Sequence, residues 1–135
     1  MSHEAADLWA RALEALSVAH REATLSPDAS ASRAYYAAFH AVSALFAARG
    51  RSFGRHSAVE AAVHRDLVRT GALSKESGAA YSALLRLREV ADYGGGRHVT
   101  AEQALEAVTD AREVLAEVSE LNPHQFEMPE SPPGA

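Results

Sequence analysis

Arg88 and Asp92 stand four residues apart in Arg86-Leu87-Arg88-Glu89-Val90-Ala91-Asp92-Tyr93-Gly94. On a helix that spacing brings a guanidinium beside a carboxylate, which can hold the cation in one orientation. A fixed guanidinium suits phosphate, because its planar fork matches the phosphate oxygens. Arg86 and Tyr93, seven apart, share a face of the same helix. The plainer reading of Arg88 and Asp92 is a salt bridge that fastens the helix end. His56, in Arg55-His56-Ser57, stands at the threshold of another helix, where free backbone N–H groups favour an anion. Its plainer reading is a partly exposed loop histidine. The third segment is Ser32-Arg33-Ala34-Tyr35-Tyr36-Ala37-Ala38-Phe39-His40-Ala41. Its aromatic stripe, taken alone, reads as core.

These residue types suit chemistry at a phosphate ester. Acid–base cleavage of such an ester needs a base for the attacking hydroxyl, an acid for the leaving oxygen and a cation over the phosphate. Arg88 fits the cation. His56 or His40 fits acid–base work, since imidazole titrates near neutrality. Asp92 acts as a base or only holds Arg88. Other chemistries lack their residues. There is no phosphate-binding glycine loop, no Gly-x-Ser-x-Gly elbow and no His-Glu-x-x-His pair. The chain has no cysteine, which removes disulfides, thiolate metal sites and a thiol nucleophile. No two histidines stand four apart, and no carboxylates join them at ligand spacing, so neither a metal nor a cofactor is expected.

Five helices must position these groups. The first is predicted from about His3 to Thr24, with Trp9, Leu13, Leu16 and His20 on one face. Ser26-Pro27 caps and starts the second, which runs to about Arg49. Its larger apolar positions are Tyr35, Tyr36, Phe39, Val42, Leu45 and Phe46, set among alanines and serines that permit close packing. Residues 50–54 form a loop. Ser57-Ala58-Val59-Glu60 has capping-box spacing and predicts the start of a third helix ending near Thr70-Gly71. Ser74 caps a fourth, with Tyr81, Leu84, Leu85 and Leu87 inside, and Gly94-Gly95-Gly96 stops it. Thr100-Ala101-Glu102-Gln103 is a second capping box. The fifth helix runs to about Leu121, with Leu105, Val108, Leu115 and Val118 inward. The fold class is all-α, an antiparallel four- to five-helix bundle forming one domain over residues 1–121. Residues 122–135 hold four of the five prolines and no apolar period, which predicts a disordered acidic tail.

Net charge is −5, against a generally basic nucleic-acid binder. The distribution says more. Residues 33–97 carry ten basic and five acidic side chains, against two and five in 1–32 and one and eight in 98–135. The middle is therefore near +5, a field that attracts phosphate, although packed acidic and basic helices would give the same count. No apolar run is long enough to span a membrane. The first residues lack the basic start and apolar core of an export signal, so a cytoplasmic location is expected.

In this order and at these separations, the three segments resemble the HEPN family, in its compact prokaryotic branch. The resemblance rests on Arg33-Ala34-Tyr35-Tyr36-Ala37-x-Phe39, His56-Ser57, Thr70-Gly71 and Arg88-x-x-x-Asp92-Tyr93, and covers residues 5–120. It implies a helical bundle, a homodimer, and a minimal nucleotidyltransferase partner that acts as antitoxin. It also implies a toxin acting on RNA as a metal-independent endoribonuclease. On that reading Arg88, Asp92 and His56 are catalytic, while Arg33, Tyr36, His40 and Arg86 bind RNA or nucleotide. Tyr93 matches the tyrosine that the partner modifies with AMP. The family's ribonucleases follow an arginine, after four to six residues, with a histidine, and this chain departs from that pattern. From Arg86 or Arg88 the count lands on Ala91, Asp92, Tyr93, Gly94 or Gly95. Arg33–His40 and Arg51–His56 meet the spacing but lie off the fourth helix. A dimer face is expected from the family, with the alanine-rich second helix as its contributor. The alternatives are a non-catalytic module that binds a nucleotide or docks a partner, and a plain helical scaffold.

Overall fold

The structure, a computed structural model, describes residues 3–129. Five helices form an all-α antiparallel bundle: α1 (His3–Glu22), α2 (Pro27–Ala48), α3 (His56–Ala62), α4 (Lys75–Tyr93) and α5 (Ala101–Leu121). α3 continues into a π-helical stretch, Val63–Val68. There is no strand among the described residues.

α2 lies at the centre and packs on α1, α4 and α5. Its alanines make this possible. Ala31, Ala34, Ala37, Ala38, Ala41 and Ala44 are all fully buried, and a methyl group lets neighbouring backbones come close. Val42, Leu45 and Phe46 fill the remaining space. The alanine face expected to serve a dimer is therefore used up inside one chain. α5 differs from expectation at Leu105, which is 49% exposed. The inward stripe there is Ala104, Ala107, Val108, Ala111, Leu115 and Val118, and Leu105 falls beside it.

The caps explain the helix starts. Thr100 and Gln103 form the expected reciprocal box. Ser74 caps α4 by accepting the Ser77 N–H at 3.0 Å. Glu117 of α5 accepts from the Ser74 N–H, the Ser74 hydroxyl and the Ser77 hydroxyl, at 2.8, 2.7 and 2.6 Å, and so ties α4 to α5. Burial pushes the Glu117 carboxyl up, but these donors outweigh it and leave it below the ordinary carboxylate value. The Ser57–Glu60 box does not form. α3 starts two residues earlier, at His56 with Arg55 in the cap position, and Glu60 turns to Ser82 and Arg86 of α4 instead.

Gly78 marks the tightest approach of α4 to the π-helical stretch. A Cβ there would stand 2.6 Å from Val68 Cγ2 and 3.3 Å from His64 Cε1. After α4 the chain reverses through Gly95, whose φ of +63° is open to glycine at little cost. Asp28 of α2 holds the following loop by accepting the Val99 N–H and contacting His98 Nδ1, both at 2.8 Å.

Residues 122–129 are not the disordered start of a tail. Phe126 is fully buried, its ring 5.3 Å from that of Trp9, and Trp9 Nε1 donates to the Glu127 carbonyl at 2.9 Å. Met128 also packs against the core. One phenylalanine among prolines has no period, yet its burial outweighs the composition around it. The rest of the predicted tail, 130–135, lies outside the described residues.

Candidate functional site

α3 and α4 frame a groove of about 490 Å³ lined by His56, Ser57, Glu60, Arg86, Arg88 and Tyr93, with Leu85 and Glu89. α4 supplies Arg88, six residues before its glycine stop. Arg88 Nε lies 2.9 Å from Asp92 Oδ2, an ion pair whose N–H is not aimed along the contact. Arg88 Nη2 donates to the Tyr36 hydroxyl at 3.0 Å and to the Tyr93 hydroxyl at 3.3 Å. Its guanidinium carbon stands 5.5 Å from the Tyr36 ring centre and 5.2 Å from that of Tyr93. Burial pulls this arginine down, but Tyr36, Tyr93 and Asp92 hold it above its ordinary value, so it is charged. Nη1 has no partner among the described residues. The result is a cation fixed by aromatic and acidic neighbours, with its side chain 15% exposed.

His56 opens α3 and faces α2. Its ring stacks on Phe39 at 4.4 Å between centres, and its Nδ1 is 2.7 Å from the Tyr35 hydroxyl. Burial, then the charge of Arg88, push the imidazole below its ordinary 6.5, so it is neutral at pH 7. Burial pushes the Tyr35 hydroxyl up to about 12, so it keeps its proton and is free to donate to Nδ1. Nε2 has no partner among the described residues. A neutral imidazole and a fixed guanidinium on one groove could supply a base and a cation for chemistry at a phosphate.

The other expected residues divide. Asp92 takes the Arg88 contact and a hydrogen bond from the Ser32 hydroxyl at 3.4 Å, which is a holding arrangement. Arg86 lines the groove, but Glu60 and Glu89 contact it at 3.2 and 3.3 Å. The central positive excess is therefore largely answered where it was expected to act. Arg51 and Arg65 likewise both pair with Asp66, which they hold well below the usual carboxylate range. Arg51 does not meet His56; it pairs with Asp66 and stands over Phe46 and Phe53. Arg33 and His40 line a separate cavity between α1 and α2. Tyr36 links the two places, because the Arg33 guanidinium carbon lies 5.0 Å from its ring centre. Tyr93 is 72% exposed, with its hydroxyl on Arg88.

Sequence reasoning missed several members. Tyr35 was read as core, which it is, but its hydroxyl also holds His56. Glu60 stands four residues after His56, a spacing that places both on one helix face and was the available signal. Ser32 gave none, because its approach to Asp92 comes from helix packing.

A sequence profile for the HEPN domain matches residues 5–121. The chain belongs to the HEPN family. It is also similar to a protein of Thermotoga maritima named only as a UPF0332 protein, with 48% identity over 62 residues. That match covers 46% of this chain and 47% of the relative, so it spans about half of the relative's length. Within this HEPN domain, α4 carries Asp92 and Tyr93 where the family's ribonucleases, by the resemblance described above, carry histidine. His56 reaches the same groove from α3. No described helix is long and apolar enough to cross a membrane, and no described cluster of His, Asp and Glu could hold a metal ion.

Proposed function

We propose that this HEPN domain is the toxin of a toxin–antitoxin pair and cleaves RNA without a metal, as a homodimer restrained by a minimal nucleotidyltransferase. The observation that carries the reading is the groove in which fixed Arg88 and neutral His56 stand together. Arg88 holds the nonbridging oxygens of the phosphate. His56 Nε2 takes the 2′-hydroxyl proton and the 2′-oxygen attacks phosphorus. The bond to the 5′-oxygen breaks, leaving a 2′,3′-cyclic phosphate; the 5′-oxygen takes a proton from water in the open groove, and the hydroxide so formed takes the proton held on His56. Asp92 and Tyr36 position the guanidinium. The AMP acceptor is Tyr93, whose exposed ring is accessible and whose hydroxyl contacts Arg88. A nucleotide on that oxygen would cover the guanidinium and close the groove. The test is cleavage of RNA by pure protein in a chelator, with Arg88→Ala and His56→Ala measured separately. Unchanged cleavage in both variants would remove the proposal.

A second reading has its own support. Glu60 and Glu89 bring two carboxylates into the groove, and α4 lacks the family histidine. A non-catalytic module that binds a nucleotide or docks a partner would tolerate both features. Saturable nucleotide binding, or co-purification with a nucleotidyltransferase, without any cleavage would favour it.

A further inference from the structure

The cavity between α1 and α2 lies apart from the Arg88 groove and holds about 350 Å³. Arg11, Arg33 and His40 line it, with Glu14 as the opposing carboxylate. Neither arginine has a carboxylate within ion-pair distance among the described residues, unlike Arg51, Arg65, Arg86 and Arg88. Two arginines against one carboxylate, none of them ion-paired among the described residues, leave the cavity net positive. His40 adds a titratable group to the lining. Its Nδ1 is buried and has no hydrogen-bond partner among the described residues, as is also true of the Tyr81 hydroxyl. Burial, then Arg11, Arg33 and His56, push His40 below its ordinary value. An anion in the cavity would oppose those charges and favour the imidazolium.

We propose that Arg11, Arg33 and His40 form a second phosphate seat, and that it takes the phosphate next along the RNA strand from the one at Arg88. Tyr36 makes the two seats continuous. Its ring lies by Arg33 and its hydroxyl accepts from Arg88. The strand assignment rests on the RNA reading of the Arg88 groove; the phosphate seat itself does not.

The test uses the full chain and reads the His40 and His56 imidazole signals by NMR. Inorganic phosphate is titrated first, at low salt and at a pH just below 6.5. The seat predicts that phosphate shifts the His40 signals, and that Arg11→Gln with Arg33→Gln weakens this response at least about tenfold. Glu14→Gln strengthens it. Arg88→Ala leaves it in place, which separates this seat from the groove. No response at His40, or an undiminished response in the double variant, overturns the seat even if the groove is catalytic. The second titration uses the RNA dinucleotide pApA. A strand site predicts that pApA binds more tightly than phosphate, that both histidines respond, and that Arg33→Gln and Arg88→Ala each remove the gain. Equal affinity for pApA and phosphate, with His40 alone responding, overturns the strand assignment and leaves a seat for free phosphate.

Discussion

Replacing Phe126 with alanine tests whether the last described segment belongs to the folded domain. Phe126 is fully buried and packs against Trp9 and the core around it. Truncating a buried phenylalanine costs about 3–5 kcal/mol when a cavity remains. Here the chain has another course, because residues 122–129 can leave the surface rather than enclose a void. Release gives back some backbone freedom but gives up the Trp9 hydrogen bond and the Met128 packing, so the net cost falls to the low end of that range or just below it. The expected destabilisation is therefore about 2–3 kcal/mol. Trp9 is the one tryptophan in the chain, so its fluorescence reports this contact directly. It is 5% exposed and donates to the Glu127 carbonyl. In urea unfolding, Phe126→Ala should lower the midpoint, and the folded protein should emit at longer wavelength. A chain ending at residue 121 should behave the same way. A loss under about 0.5 kcal/mol with unchanged Trp9 emission would show that the segment contributes nothing and refute the reasoning.

Other consequences concern the site. Tyr35→Phe removes the hydroxyl 2.7 Å from His56 Nδ1 and should cost about 1–2 kcal/mol in urea unfolding, with a fall in RNA cleavage. Arg88→Lys should behave as Arg88→Ala in cleavage, because an ammonium cannot reproduce contacts to Asp92, Tyr36 and Tyr93 together; lysine activity near wild type would argue against a fixed fork. His40 and His56 are both held below 6.5 in the folded chain, so the unfolded chain binds more protons as pH falls through that value. Stability should therefore be full above pH 6.5 and decline below it, and His56→Gln should flatten the decline in the urea midpoint. Incubation with a cognate nucleotidyltransferase and ATP should add one AMP by intact mass to the wild type and none to Tyr93→Phe.

Much of this was legible in the residues, and the failures share a cause. Helix positions followed local chemistry, with Ser74 and Thr100 capping as their neighbours predict. Arg88 and Asp92 pair because spacing on one helix is a local property. What depended on packing between helices was harder to read. The Arg86 charge is answered by Glu60 across a helix interface, and Ser32 reaches Asp92 from α2. Leu105 and the alanines of α2 and α5 show a related limit. Large side chains drew the predicted inward stripe, while alanines occupy much of the real one. Phe126 lies outside any periodic segment, so only its partner Trp9 reveals its role. His56 was chosen as a helix-start histidine, yet Tyr35 and Phe39 are what fix its ring.

The central claim is that Arg88 and His56 act on one phosphate. A double-mutant cycle on the cleavage rate measures this directly, using wild type, Arg88→Ala, His56→Ala and the double variant in chelator. If both groups serve one transition state, each single variant should lose at least about a hundredfold, and the double should be little worse than the poorer single. Strictly multiplicative losses, or a His56→Ala variant with wild-type activity, would contradict it.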